Sequence, residues 1–216
     1  MAKVVDHEQR REQIALIVEQ LLFENGLDEL TLRSVARRAG FSTTIVCHYF
    51  QNKREMLAFT QRLARIRTIE RVREAYEQGK EMPECLELAL PADEETWRNW
   101  HTWFAFWGMA AAEPDIRSEW ADNSSSANEL FRDLVESAAR KGQFDKKIDA
   151  KEAALNIQII INGIATLAVQ DADAWPRSRQ CKLLKEHLGR IGYLGDVKAD
   201  TAVKPKASKK RSGPKA

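Results

Sequence analysis

Residues 31–57, TLRSVARRAGFSTTIVCHYFQNKREML, constrain the fold more than any other stretch, because they spell two short helices joined by a sharp turn at Ala39-Gly40-Phe41-Ser42. Thr31 offers a side-chain oxygen to cap the first helix. Leu32, Val35, Ala36 and Ala39 then recur at i, i+3, i+4 and i+7, which defines one inward stripe. Arg33, Arg37 and Arg38 fall on the outward face. Gly40 tolerates the left-handed backbone that the turn requires, and Ser42 caps the second helix, whose inward positions are Ile45, Val46 and Tyr49 or Phe50. Thr43, Thr44, Cys47 and His48 are left pointing outward. Short polar side chains on the first turns of a second helix suit base edges in a major groove, while arginines and Lys53 suit phosphates. The expected DNA-facing set is therefore Arg33, Arg37, Ser42, Thr43, Thr44, Cys47, His48, Tyr49 and Lys53, and the expected partner is double-stranded DNA.

Charge is distributed in the same sense. The chain as a whole carries only +2, which by itself says little about a nucleic-acid partner. Residues 31–67, however, hold eight Lys/Arg and a single acid, Glu55, and residues 198–216 hold seven Lys/Arg and one Asp. Residues 81–197 reverse the balance, with 13 Lys/Arg against 20 Asp/Glu. Only part of the surface is then expected to attract phosphate.

Helical periodicity runs through the rest. Asp6 and Gln9 form a capping-box pattern for a first helix carrying Ile14, Ile17, Val18, Leu21 and Leu22, ended by Asn25-Gly26. A long helix from Lys53 carries Met56, Leu57, Leu63, Ile66, Ile69 and Val72 toward Gly79; at 1.5 Å per residue it spans roughly 35–40 Å, enough to link two units mechanically. Further helices are expected from Met82 to Pro91 and over 93–112, 115–141, 149–171 and 176–191, with no alternating strand of useful length. The expected fold is all-α, with a helix-turn-helix head over 1–52, a helical effector-binding and dimerisation body over 53–196, and a basic, disordered tail over 197–216.

No apolar run is expected to reach the roughly 20 residues of a membrane span, and the polar N-terminus from Lys3 to Glu12 does not read as a signal peptide. Cys47, Cys85 and Cys181 are too scattered for a disulfide framework or a zinc site. There is no nucleophile triad, metal-ligand cluster or phosphate loop, so neither enzyme, metal nor cofactor is expected, and the expected location is cytoplasmic.

Six tryptophans are many for this length, and Trp97, Trp100, Trp103 and Trp107 lie within eleven residues. On a helical wheel Trp97, Trp100, Phe104 and Trp107 share one face, and Trp103, Phe106 and Ala110 another. A core needs one such face. A second is free to line a cavity, and tryptophan is the best partner for a cation without hydrogen-bond donors, worth on the order of 1–2 kcal/mol per desolvated ring. The expected effector residues are Trp97, Trp100, Trp103, Phe104, Trp107 and Trp120, with Asp171, Asp173 or Glu113 as candidate carboxylates. An aromatic stripe at helical spacing also serves as plain core, and that reading stays open here.

The run Thr31...Val35-Ala36-Arg37-Arg38-Ala39-Gly40-Phe41-Ser42...Tyr49-Phe50-Gln51-Asn52-Lys53...Met56-Leu57 resembles the N-terminal signature of the TetR family of one-component repressors. Many members have Gly where this chain has Thr44. The segment Trp100-His101-Thr102-Trp103-Phe104-Ala105-Phe106-Trp107, and Asn162-Gly163 within Ile157–Leu167, are similar to the betaine-pathway (BetI-like) branch, whose ligand is choline. The resemblance implies a dimeric repressor of glycine betaine synthesis that reads a pseudo-palindromic operator, with Lys53 on a phosphate. The helix over 149–171, apolar on more than one face, is with residues 122–141 the expected intersubunit four-helix bundle. Two alternatives stay open: a regulator answering lipophilic cations or another apolar effector, as in efflux control, and a non-specific architectural DNA binder.

Overall fold

The computed structural model describes residues 7–112, 114–145 and 147–195, with the side chains of residues 112–125 outside that description. Asp6, Glu113, the Trp120 side chain and the basic tail over 197–216, all singled out in the sequence, therefore lie outside the described residues. The described residues form nine helices and no strand beyond an isolated bridge between Phe144 and Tyr193.

Three of them make the head: α1 (His7–Asn25), α2 (Leu32–Ala39) and α3 (Thr43–Tyr49). Thr31 caps α2 by accepting a hydrogen bond from the Ser34 N–H at 2.9 Å, while the Ser34 hydroxyl accepts from the Thr31 N–H at 2.9 Å. Gly40 sits at φ 69°, ψ 26°, so the turn into α3 needs the left-handed backbone that glycine adopts without a Cβ penalty. Ile14, Val18 and Leu22 of α1 close over Val35, Val46 and Phe50 as one apolar cluster.

The body follows as α4 (Lys53–Glu77), α5 (Met82–Glu87), α6 (Glu94–Ala112), α7 (Pro114–Arg140), α8 (Ala150–Gln170) and α9 (Arg177–Arg190). Its core gathers Val72, Leu86, Leu90, Leu134, Val135, Ile157, Leu184 and Leu188. Two helices serve both cores. Met56, Leu57 and Phe59 of α4 belong to the head cluster, while Val72 and Ala75 of the same helix belong to the body. In α6, Phe106 and Ala110 are buried in the head cluster and Trp100 packs against the body. At 25 residues, α4 is roughly 37 Å long.

Three expectations from the sequence are corrected. Ile45, assigned inward, is 43% exposed, because a seven-residue helix turns only Val46 fully into the core and leaves Ile45 on its rim. Ile66 is exposed as well, since the apolar stripe of α4 changes partner between its head-facing and body-facing ends. The described part of α7, within the residues 122–141 expected to join a second subunit, turns Leu130, Leu134, Val135 and Ala138 into the chain's own core with α8, and exposes Glu129, Arg132, Asp133, Glu136 and Arg140. Finally, α8 is by length and composition apolar enough to cross a membrane, although Ala153, Ala154, Ile157, Ile161 and Ile164 are buried in the body.

Candidate functional site

The head presents its polar residues as the sequence pattern requires. Ser42 caps α3 by accepting from the Ile45 N–H at 3.3 Å, which leaves Thr43, Thr44, Cys47 and His48 exposed on the first two turns. Arg33 and Arg37 are exposed on α2. A shallow concavity bounded by Arg10, Phe41, Ser42, Thr44, Ile45, His48 and Tyr49 runs across this face. The Tyr49 ring is braced by His7, with ring centroids 4.8 Å apart, and His7 also meets His48 edge-on at 5.8 Å. Arg10 lies over the Phe41 ring at 5.0 Å. Sequence pattern gave no hint that α1 contributes to this face, because His7 and Arg10 read simply as polar positions of a capped helix.

Lys53 has a structural contact that the sequence did not reveal. Its ammonium donates to the Leu27 carbonyl at 2.6 Å and so ties the start of α4 to the loop leaving α1. Beside it, Asn52 caps α4 through the Glu55 N–H at 2.8 Å, while the Glu55 carboxylate accepts from the Gln51 N–H at 2.8 Å and pairs with Arg11 at 3.2 Å. The N-terminus of α4 is thereby locked to α1 and to the residues just after α3.

A cavity of about 390 Å³ lies in the body between α4, α6, α7 and α8. Its size falls within the range of small-molecule sites, roughly 300–1,000 Å³. Trp100, Trp103 and Trp107 line it together with Ile69, Val72, Leu130, Phe131 and Ile161. Trp100 is oriented by its indole N–H, which donates to the Ala89 carbonyl at 2.9 Å, and Trp103 stacks nearly parallel on Trp107, 6° between planes and 6.0 Å between centroids. Trp107 is 49% exposed, so it stands at the rim.

The helical-wheel grouping is corrected here. Trp97 and Phe104 do not line the cavity. Trp97 instead approaches His101, which meets Phe23 of α1 edge-on at 5.2 Å, and Phe104 packs on the outer sides of Trp100 and Trp103. The reason is that the buried seam of α6 runs through Thr96, Asn99, Thr102, Phe106 and Ala110, which rotates Trp100, Trp103 and Trp107 together onto the cavity side. Asp171 and Asp173 lie in the turn between α8 and α9 and do not line the cavity either; Asp171 accepts from the Ala174 N–H at 3.0 Å.

Missed by the sequence reading were the polar residues of the cavity. Gln61, Arg65 and Thr68 lie at i, i+4 and i+7 on α4 and all line it, as do Asn99, Gln158 and Asn162. Polar residues at helical spacing on the same side as Ala64 and Val72 were the available signal. Burial holds the Arg65 guanidinium below its ordinary pKa, with the nearby Arg62 charge acting in the same direction.

One polar chain runs from this cavity to the head. Asn99 donates to the Thr68 hydroxyl at 3.3 Å and accepts from Arg67 at 3.5 Å, and Arg67 also pairs with Glu19, a residue of α1 only 3% exposed. Burial pushes the Glu19 carboxyl above its ordinary value, and the charge and hydrogen bond of Arg67 oppose that rise. Arg71 adds two ion pairs between α4 and α6, to Asp93 at 3.4 Å and Glu95 at 3.2 Å.

Residues 19–58 match the model of bacterial regulatory proteins of the tetR family, and residues 79–192 match that of the BetI-type transcriptional repressor C-terminal region. The chain is 30% identical over 197 residues to the HTH-type transcriptional regulator PksA of Bacillus subtilis, covering 88% of this chain and 94% of that protein. It is 26% identical to the HTH-type transcriptional regulator BetI of Paraburkholderia phymatum, covering 87% and 95%. A transcriptional regulator from Saccharomonospora viridis, solved in complex with choline, shares the fold at a TM-score of 0.71 and 18% identity, over 86% of this chain and 98% of that one. A reading head of this geometry, the two family matches and the full-length similarity to PksA lead to one conclusion: the chain is not an enzyme but a member of the TetR family of DNA-binding transcription regulators, with a BetI-type C-terminal half.

Proposed function

We propose that this regulator acts as a homodimeric, cytoplasmic repressor whose hold on a pseudo-palindromic operator is altered when a small quaternary ammonium, choline or a close relative, fills the body cavity. The observation that carries the effector reading is the trio Trp100, Trp103 and Trp107 on one wall of a 390 Å³ cavity. Indole faces attract an onium group that cannot donate hydrogen bonds. Similarity to BetI proteins and to a fold solved with choline supports the same ligand class, and through it a role in glycine betaine synthesis.

On the DNA side, Thr43, Thr44, Cys47 and His48 are the base-reading set, Ser42 and Tyr49 fix the helix that carries them, and Arg33 and Arg37 hold phosphates. Lys53 retains N–H donors for a phosphate beyond the one spent on Leu27. The dimer reading is supported by α8, where Leu155, Ile159 and Leu167 remain exposed at i+4 steps through Gly163, with Ile159 59% exposed. A second copy meeting this stripe buries it and sets two reading heads at a fixed spacing.

A second reading is favoured by the other walls. Ile69, Val72, Leu130 and Ile161 give the cavity more aliphatic surface than an onium cage requires, which suits a bulkier apolar or lipophilic cationic effector. Titration of tryptophan fluorescence with choline and, separately, with a lipophilic dye cation separates the two. Saturable quenching by choline, lost in Trp103→Ala, is the expected result. Tight binding of the dye with no response to choline overturns the choline reading in favour of the second.

A further inference from the structure

Gln61 stands out among the polar groups of the cavity. It lies on α4, is only 5% exposed, and its side chain lines the cavity wall. Its neighbours in the cavity are differently placed. The amide of Asn99 is engaged by Thr68 and Arg67, and the amide oxygen of Gln158 accepts from Asn128 at 3.2 Å. The amide of Gln61 makes no hydrogen bond to any described residue. Asn162 of α8, also on the cavity wall, leaves its side-chain amide similarly open, since only its backbone carbonyl is engaged, by Thr166 at 2.8 Å.

The Gln61 amide therefore faces the cavity with its donors and acceptor unspent, where a bound water or a ligand takes them up. An amide carries two donors and an acceptor, so it pairs with a carbonyl oxygen, which takes a hydrogen bond, and with a hydroxyl, which both gives and takes one. Neither the tryptophan wall nor the aliphatic wall offers that recognition.

We propose that Gln61 is a specificity residue of the effector site, and that the effector is bifunctional, with an onium or apolar end held by Trp100, Trp103 and Trp107 and a hydroxyl or carbonyl oxygen read by the Gln61 amide. Asn162 is placed to share that oxygen. This rests on the cavity being the effector site, but not on the effector being a quaternary ammonium.

Two matched probe pairs test it, each differing by a hydroxyl replaced with a methyl: choline against propyltrimethylammonium, and benzyl alcohol against ethylbenzene. Affinities are read by tryptophan fluorescence or calorimetry on the full-length protein and on Gln61→Met, which preserves side-chain length and apolar volume. In the wild type the hydroxyl-bearing member of whichever pair binds is expected to be preferred by about five- to tenfold, the worth of one net neutral hydrogen bond. In Gln61→Met that preference is expected to disappear while the methyl-bearing member keeps its affinity. An unchanged preference in Gln61→Met, or no preference in the wild type, overturns the assignment. If only the benzyl alcohol pair binds, with a preference that depends on Gln61, the onium reading falls and the role of Gln61 stands. A urea midpoint equal to wild type in Gln61→Met shows that the loss is in recognition and not in folding.

Discussion

Replacing Arg67 with leucine tests whether the polar chain between cavity and head carries energy. Among the described residues Arg67 is the guanidinium paired with Glu19; its side chain is about a quarter exposed, and Glu19 is almost fully enclosed where α1 packs on α4 and α6. Exposed pairs are worth roughly 0.2–1 kcal/mol, whereas stripping one partner from a fully buried pair costs about 3–5 kcal/mol. The half-sheltered position of Arg67 sets the expected loss at about 2–3 kcal/mol at pH 8. The pH dependence identifies the cause. Because burial holds the folded-state pKa of Glu19 above the ordinary glutamate value of 4.5, the folded protein binds that proton more readily than the unfolded chain does. The contribution of Glu19 to stability is thus fully present below about pH 4.5 and is lost as pH rises through the raised folded value. Removing Arg67 removes the attraction that opposes the rise, so Arg67→Leu loses more stability toward neutral pH and its deficit shrinks on acidification. Urea denaturation followed by far-UV ellipticity at pH 5 and pH 8, at one protein concentration because self-association adds stability, reads both quantities. Glu19→Gln combined with Arg67→Leu is expected to be more stable at pH 8 than Arg67→Leu alone, since no carboxylate is then left unpaired. An equal deficit at both pH values, or a double variant no better than Arg67→Leu, refutes the reasoning.

Two further outcomes follow from the surface. Arg37→Ala on α2 is expected to weaken binding to a duplex selected by the wild-type protein and to a scrambled duplex alike, and to lower the salt-dependence slope by about one, as loss of one phosphate contact does; fluorescence anisotropy between 50 and 200 mM salt, about the range over which such contacts respond, measures it. Ile159→Glu puts a charge in the middle of the exposed α8 stripe and is expected to convert the dimer to monomer in sedimentation velocity and to abolish tight operator binding, with helix content unchanged.

The reading head was legible in the sequence almost residue by residue, because its determinants are local. Thr31, Gly40 and Ser42 act within three or four positions of themselves, and the structure keeps each in the capping or turning role that its side chain dictates. Helix boundaries in the body also fell close to the expected ranges, α6 at Glu94–Ala112 against 93–112 and α8 at Ala150–Gln170 against 149–171. What failed was orientation. A helical wheel groups residues that share a face, but it does not say which face meets which neighbour, so Trp97 and Phe104 were placed with the cavity when the buried seam through Thr102 and Phe106 turns them away. Ile66 failed for the same reason, since one helix serves two cores that lie in different directions from its axis. Gln61 was passed over because a single glutamine within a charged helix does not mark itself as buried; only its spacing with Arg65 and Thr68, on the side of Ala64 and Val72, carries that sign.

The shared helices decide what kind of effector is able to regulate. A ligand shifts an equilibrium only by the difference between its affinities for the two conformations, so filling the cavity without displacing α4 or α6 leaves operator binding untouched however tight the complex. Both helices reach the head directly, α4 through Met56, Leu57 and Phe59 and α6 through Phe106 and Ala110, and close-packed cores shift between discrete arrangements in preference to deforming smoothly. Trp103 and Trp107 on α6 and Gln61 on α4 lie on the cavity wall within one or two turns of those anchors. An effector that spans from the indoles to the Gln61 amide therefore bears on both helices at once, and displacement of one against the other is resisted by Arg71 on Asp93 and Glu95 and by the chain from Asn99 through Arg67 to Glu19. A ligand that touches only the indoles loads α6 alone. On this geometry the two-ended ligand is the stronger allosteric effector even where the one-ended ligand binds equally well.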